Sequence, residues 1–263
     1  MSEAELPHIT VDALMPRLGS PTAPLLVDVR RAADFEAAGR LLAGSIRRGP
    51  EQLADWVASL QGRPVVVYCA HGRAVSQGAC RELRERGIDA AYLEGGYAAW
   101  IAGGGATLRW HASLAEQPSR WVTRERPKID RIACPWLIRR FIDPLAQFLY
   151  VPNTQVLATA AETGATPYDI PDVQFSHRGA ACSFDAFLAD FELASSALAQ
   201  LALIVRGADT DRLDLAPQSA GLLAISLGLS ALHADDHAML QQGMAIYDAL
   251  YAWCSRARGE GHD

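Results

Sequence analysis

The chain has no pair of cysteines at the spacing of a metal knuckle or a redox motif. Its five cysteines (Cys69, Cys80, Cys134, Cys182 and Cys254) are scattered and odd in number, with no CxxC among them. A disulfide framework and a structural zinc knuckle are therefore not expected. A long apolar run is lacking too. The most apolar stretch, residues 213–232, is broken by Asp214, Pro217, Gln218 and serines, short of the ~18–20 clean residues of a membrane span. The opening MSEAELPHIT holds no apolar h-region, so no secretory signal is expected. There is no internal repeat and no low-complexity tail. Basic charge is not in excess: 24 Lys plus Arg stand against 30 Asp plus Glu, a net −6. Neither nucleic acid nor membrane is the expected partner of such a chain. Cytoplasmic residence with reduced thiols is the expectation.

What the chain does have is apolar content, 50% of 263 residues with 21% charged. That rules out global disorder and suits one large or two ordinary domains. Over the first hundred residues, strand and helix patterns alternate. Residues 24–29 and 64–69 are short apolar runs of the kind buried on both faces of a parallel sheet, and residues 90–93 make a third. Helical patterns occupy residues 33–38, 51–60 and 76–86, the last closed by Gly87, and Gly95-Gly96 turns into residues 97–101. The fold class expected is α/β, a parallel sheet flanked by helices. Gly103-Gly104-Gly105 and the polar stretch to Arg126-Pro127 break this pattern, so residues 104–125 are expected to be a linker. A helix-rich second domain is expected beyond it, with helices over residues 186–204 and 235–256 and a buried apolar segment at 216–229.

Cys69 stands where the second apolar run ends, followed by Ala70-His71-Gly72-Arg73-Ala74-Val75 and then a helix. A tight strand-to-helix loop turns successive backbone N–H groups inward and, with the helix N-terminus, forms an anion cradle. A thiol there is stabilised as the nucleophilic thiolate. The other reading of these residues is an inert cysteine buried at a strand end. Leu26-Val27-Asp28-Val29-Arg30, the Cys69–Arg73 loop and Leu93-Glu94-Gly95-Gly96-Tyr97-Ala98-Ala99-Trp100 together resemble a single-domain rhodanese over residues 8–103. The resemblance implies a sulfurtransferase in which Cys69 takes sulfur from a donor such as thiosulfate and passes it to a thiophilic acceptor. Residues 70–75 would bind the anion, and Asp28 and Arg30 would serve structure. Phosphatases of the same fold use a longer loop with an Arg six positions after the cysteine; here Val75 stands there. Cys80 reads as core.

Residues 120–140 hold seven arginines and lysines against Glu125 and Asp130. Within them, Pro135 suits the first position of a helix, which would put Cys134 at its N-cap with a lowered pKa. Arg131, Cys134 and Arg139 are thus a candidate oxyanion site, the alternative being solvated charges around a packed thiol. The segment from Asp130-Arg131-Ile132-Ala133-Cys134-Pro135-Trp136 to Asp143, with Phe175-Ser176-His177, Cys182-Ser183-Phe184-Asp185, Val205–Thr210 and Asp248–Tyr251, resembles the chromate-resistance protein family over residues 126–255. Its regulators carry a different N-terminal domain, so a DNA-binding role does not transfer. His177, Cys182, Asp209, Asp235, Asp236 and His237 are ligand types for a metal, at spacings that match no standard site.

The resemblances together imply an enzyme that forms a Cys69 persulfide, fused to a domain of chromate resistance. The alternative is a protein that binds or senses an oxyanion without turnover. The expected partners are a small anion, thiosulfate or chromate, and a thiol acceptor. No cofactor is implied.

Overall fold

The computed structural model describes residues 6–60 and 62–259 and divides the chain into two compact units. The first runs to Trp110 and includes Phe141–Pro144, and the second takes His111–Arg140 and the chain from Leu145 onward. Part of the N-terminal stretch read for a signal, residues 1–5, lies outside the described residues. No helix among the described residues is long and apolar enough to cross a membrane.

The first unit contains β1 (His8–Ile9), α1 (Val11–Leu14), β2 (Leu25–Asp28), α2 (Ala32–Ala38), β3 (Arg40–Leu42), β4 (Ser45–Arg47), α3 (Leu53–Trp56), β5 (Val65–Tyr68), α4 (Ala74–Glu85), β6 (Ala90–Leu93), α5 (Gly96–Ala102) and β7 (Thr107–Arg109). Five strands form an entirely parallel sheet in the order β1-β6-β5-β2-β4. Its central strands β2 and β5 are buried along their whole length, as their unbroken apolar runs require. Leu14, Leu26, Leu42, Val66, Tyr68, Leu93 and Trp100 form one core cluster, and α4 packs on β5 and β6. The stretch expected as one helix over 51–60 is instead a short α-turn, α3, between two 3₁₀ turns.

Where β2 ends, Asp28 and Arg30 are both buried. The Arg30 Nε and Nη2 atoms donate to the Asp28 carboxylate at 2.5–3.1 Å, and the Arg30 backbone N–H adds a further bond at 2.8 Å. The guanidinium also donates to the Arg40 carbonyl and lies 4.1 Å from the Tyr97 ring centroid. The structural role expected of these two residues is what the geometry displays.

The second unit contains β8 (Arg120–Arg124), α6 (Asp130–Leu137), β9 (Gln147–Val151), α7 (Val156–Thr163), β10 (Thr166–Pro167), α8 (Ser183–Asp190), α9 (Ser196–Asp209), α10 (Ser219–Leu232) and α11 (Asp236–Ala252). It is helix-rich, as expected, and it adds a three-stranded parallel sheet, β10-β8-β9, that the sequence reading missed. The expected linker 104–125 is not a linker: β7 pairs with β3, and β8 is the middle strand of the second sheet. The helix expected over 186–204 is two helices. Glu192 takes a left-handed φ of 50° between them, and the Ser195 hydroxyl caps α9 by accepting from the Leu198 N–H. The segment expected to be buried at 216–229 is largely α10 turned inside out. Ser219, Leu222, Ser226 and Ser230 face inward, while Ile225, Leu227 and Leu232 are exposed. Close packing explains it: a Cβ on Gly207 of α9 would collide with the Ser219 side chain, so small residues fill that contact.

Replacing Arg30 with Ala leaves Asp28 buried without its cation, and such losses cost about 3–5 kcal/mol. Hydrogen exchange across β2 and β5 is expected to accelerate accordingly in Arg30→Ala. Unchanged protection there would refute the role given to this pair.

Candidate functional sites

Cys69 follows β5 directly and is only 6% exposed. Two features shape the loop around it. The carbonyls of Cys69 and Ala70 accept from the Tyr97 and Ala98 N–H groups at 2.9 Å, so the free N-terminus of α5 satisfies the loop's acceptors. Gly72, at φ 64°, packs its backbone against Gly95 and Gly96; a Cβ on Gly72 would lie 2.6 Å from the Leu93 carbonyl oxygen and the Gly95 nitrogen. Only glycine fits a left-handed position at so close an approach. The Glu94-Gly95-Gly96 segment therefore acts by shaping the cysteine loop.

With its carbonyls spent outward, the loop turns N–H groups toward the sulfur. Burial pushes the Cys69 thiol up, but the Ser76 hydroxyl, 3.2 Å from Sγ, and the N–H groups of Ser76, His71 and Arg73 outweigh it, and the net shift is downward. Among the residues expected to bind the anion, His71, Arg73 and Ala74 are exposed, Ala70 and Val75 half-buried, and Gly72 buried. Ser76, one residue past that list, is the neighbour of Sγ the sequence reading missed; a hydroxyl in the first turn of α4 was its signal. Cys80 is buried in α4 against the Ala90 carbonyl, in the core as expected.

In the second unit, Cys134 requires a correction. Helix α6 begins at Asp130, so Cys134 and Pro135 lie inside it and not at its N-cap. Proline is tolerated there because the carbonyl it cannot serve, that of Arg131, accepts from the Tyr150 hydroxyl at 3.4 Å. Burial drives the Cys134 thiol far above its ordinary range, and Asp130 and Asp169 drive it further. The two arginines grouped with it are turned to other partners. Arg131 Nε sits 3.3 Å from Asp169, and Arg139 lies over the Phe148 ring. The three do not assemble an anion site.

A different group assembles at the carboxyl ends of β8 and β10. Arg124 ends β8, Asp169 lies two residues beyond β10, Asp130 opens α6 and Asp209 ends α9. His177 Nε2 reaches all three carboxylates, at 3.1 Å from Asp209, 3.5 Å from Asp169 and 3.7 Å from Asp130. The backbone is bent to place them: Ile129, just before Asp130, has φ 35° and Asp169 has φ 53°, conformations that non-glycine residues keep only when their surroundings hold them. The Tyr247 hydroxyl donates to the Ile129 carbonyl at 3.0 Å and helps pin it.

The charges are unevenly matched. Burial pushes Asp169 up, but its bonds from His177 and Ser183 and the nearby Arg124 and Arg131 bring it below the usual carboxylate range. Burial and the neighbouring Asp209 and Asp169 hold Asp130 well above that range. His177 is raised to about 9, chiefly by its bond to Asp169.

Of the metal-ligand types singled out from sequence, the structure unites His177 and Asp209, and it adds Asp130. Cys182 caps α8. Asp235 caps α11 by accepting from the Ala238 N–H, Asp236 accepts from the Arg126 N–H, and His237 packs edge-on against Tyr150. Those four serve the scaffold. Asp130 and Asp169 were not among the residues singled out; Asp130 lies dozens of residues from His177 and Asp209 along the chain.

Comparison with known proteins agrees with this division. Residues 121–254 match the family model for the ChrB C-terminal domain, and residues 10–103 match that for the rhodanese-like domain. The protein ChrB of Cupriavidus metallidurans is 33% identical over 143 residues, 54% of this chain; the chain spans only 43% of that relative's length. The thiosulfate sulfurtransferase GlpE of Shewanella oneidensis is 33% identical over 95 residues, 35% of this chain and 90% of that protein. Among solved structures, a rhodanese-related protein of Thermoplasma volcanium shares 27% identity over 38% of this chain and 96% of that chain, with a TM-score of 0.34.

The geometry predicts that Cys69 is alkylated by iodoacetamide at a rate whose pH midpoint lies below that of an ordinary thiol. A lowered pKa keeps the thiolate populated as pH falls. Ser76→Ala should raise that midpoint; an unchanged midpoint would remove Ser76 from the site.

Proposed function

Because the chain belongs to both the rhodanese-like and the ChrB C-terminal domain families, we propose that it is a sulfurtransferase working through Cys69, joined to a domain of chromate resistance. The observation that carries the first half is the Cys69 loop, a thiol with a lowered pKa ringed by backbone N–H groups.

In this reading the thiolate attacks the sulfane sulfur of thiosulfate. The new bond joins Cys69 Sγ to that sulfur, the S–S bond of the donor breaks, and sulfite leaves with its electron pair. The persulfide anion remains on Cys69, where the N–H groups of His71, Arg73 and Ser76 and the Ser76 hydroxyl, which favour the thiolate, favour it equally. An acceptor thiolate or cyanide then attacks the outer sulfur, and the Cys69 thiolate returns. Exposed Arg73 and His71 border the loop on the side open to solvent, a setting suited to small anions. The chromate assignment of the second unit rests on its family resemblance, and the oxyanion expected to meet this protein is tetrahedral in both roles.

Intact mass spectrometry of the full chain after incubation with thiosulfate tests the proposal. A gain of one sulfur, about 32 Da, is expected in the wild type and none in Cys69→Ser. A wild type without the adduct would make the loop an anion-binding scaffold and end the sulfurtransferase reading.

A further inference from the structure

The second unit buries a carboxylate with which no arginine or lysine pairs among the described residues. Asp130 is fully buried. Its oxygens accept from the Ser183 and Phe184 N–H groups at 2.5 and 3.2 Å, which orient the carboxylate but carry no full positive charge. Among the described residues, no arginine or lysine comes within ion-pair distance of Asp130 or Asp209, and both nearby arginines, Arg124 and Arg131, are committed to Asp169. An isolated buried carboxylate is among the most costly groups a fold can hold. Where Asp130 and Asp209 converge, the imidazole of His177 is the one cationic side chain within ion-pair distance among the described residues.

The three side chains are also placed as ligands. One donor atom from each of Asp130, His177 and Asp209 lies within 4.8 Å of the others, a separation that a single ion can bridge after small side-chain rotations. They come from three separate elements: the start of α6, the loop after β10 and the end of α9. Neighbouring groups fix their orientation, as outer partners do around metal ligands. The Asp130 N–H donates to Asp209 at 3.4 Å, and the Ser183 hydroxyl donates to Asp169 at 2.8 Å. Access is open on one side, where His177, Arg124, Asp169 and Ser176 line a surface cleft and His177 is 43% exposed.

We infer that Asp130, His177 and Asp209 bind one divalent first-row transition ion of the Mn²⁺ or Fe²⁺ type, with the Asp169 carboxylate lying 3.5 Å from the same Nε2 atom of His177. The donor chemistry favours this class over the alkaline earths and Cu⁺. An imidazole beside carboxylates suits these ions, whereas all-oxygen shells suit Ca²⁺ and Mg²⁺ and thiolates suit Cu⁺. Three protein donors leave further coordination positions toward the cleft, where a small anion can reach the ion.

The experiment uses the full chain, stripped with EDTA, dialysed and titrated with MnCl₂ while electron paramagnetic resonance reads free Mn²⁺. One saturable Mn²⁺ per chain is expected. His177→Ala and Asp209→Asn should each weaken it by about tenfold or more, and Cys69→Ser should leave it unchanged. Both substituted side chains reach solvent, and circular dichroism confirms that each variant is folded. No saturable binding, or binding that both variants retain, would overturn the assignment and leave His177 as the cluster's own counter-charge.

Discussion

A carboxylate taken out of water must be neutralised, and each unit of this protein is organised around one that is. In the first, Asp28 is matched within two residues by Arg30, whose remaining contacts, the Arg40 carbonyl and the Tyr97 ring, tie β2 to β3 and α5. The ion pair is matched charge for charge, although Arg30 Nη1 is buried without a hydrogen bond, and it stiffens the sheet end from which the Cys69 loop departs. In the second, Asp130 is buried with hydrogen bonds but no guanidinium, and the imidazole of His177 is the cationic group that the fold brings near. One carboxylate closes a scaffold; the other leaves an electrostatic demand facing a cleft.

The two sites differ in what gives their groups reactivity. Around Cys69 the work is done by neutral dipoles: four groups that donate to sulfur overcome the cost of burial and favour the thiolate. Around Asp130 formal charges crowd together, and their mutual repulsion is relieved only by protons or cations. Cys134, deep beside them, is kept from ionising by burial first and by the same field second. A thiol's chemistry thus follows from its neighbours more than from its place in a motif.

Much of the first unit was legible because its evidence is local. Residues 24–29, 64–69 and 90–93 announce strands by composition alone, and the cysteine loop is contiguous. The second unit hid its sheet because its middle strand, β8, sits in an arginine-rich stretch that reads as exposed. Its site draws on Asp130, Asp169, His177 and Asp209, which come together only through tertiary packing. Pro135 misled because proline most often opens a helix, and here a distant tyrosine hydroxyl supplies what its ring cannot. The apolar run of α10 misled in the other direction, since a tight helix contact favours serine and glycine over bulk.

The cysteine loop takes its curvature from main chain resting on main chain at Gly72, Gly95 and Gly96. None of the exposed side chains at positions 71, 73 and 74 is needed to hold that shape. The loop therefore separates two kinds of constraint: its curvature is fixed at glycines that have no side chain to exchange, while the exposed rim at positions 71, 73 and 74 carries side chains outside that packing. Substitutions on that rim can therefore change the charge and shape of the loop's mouth without rebuilding the setting of the cysteine.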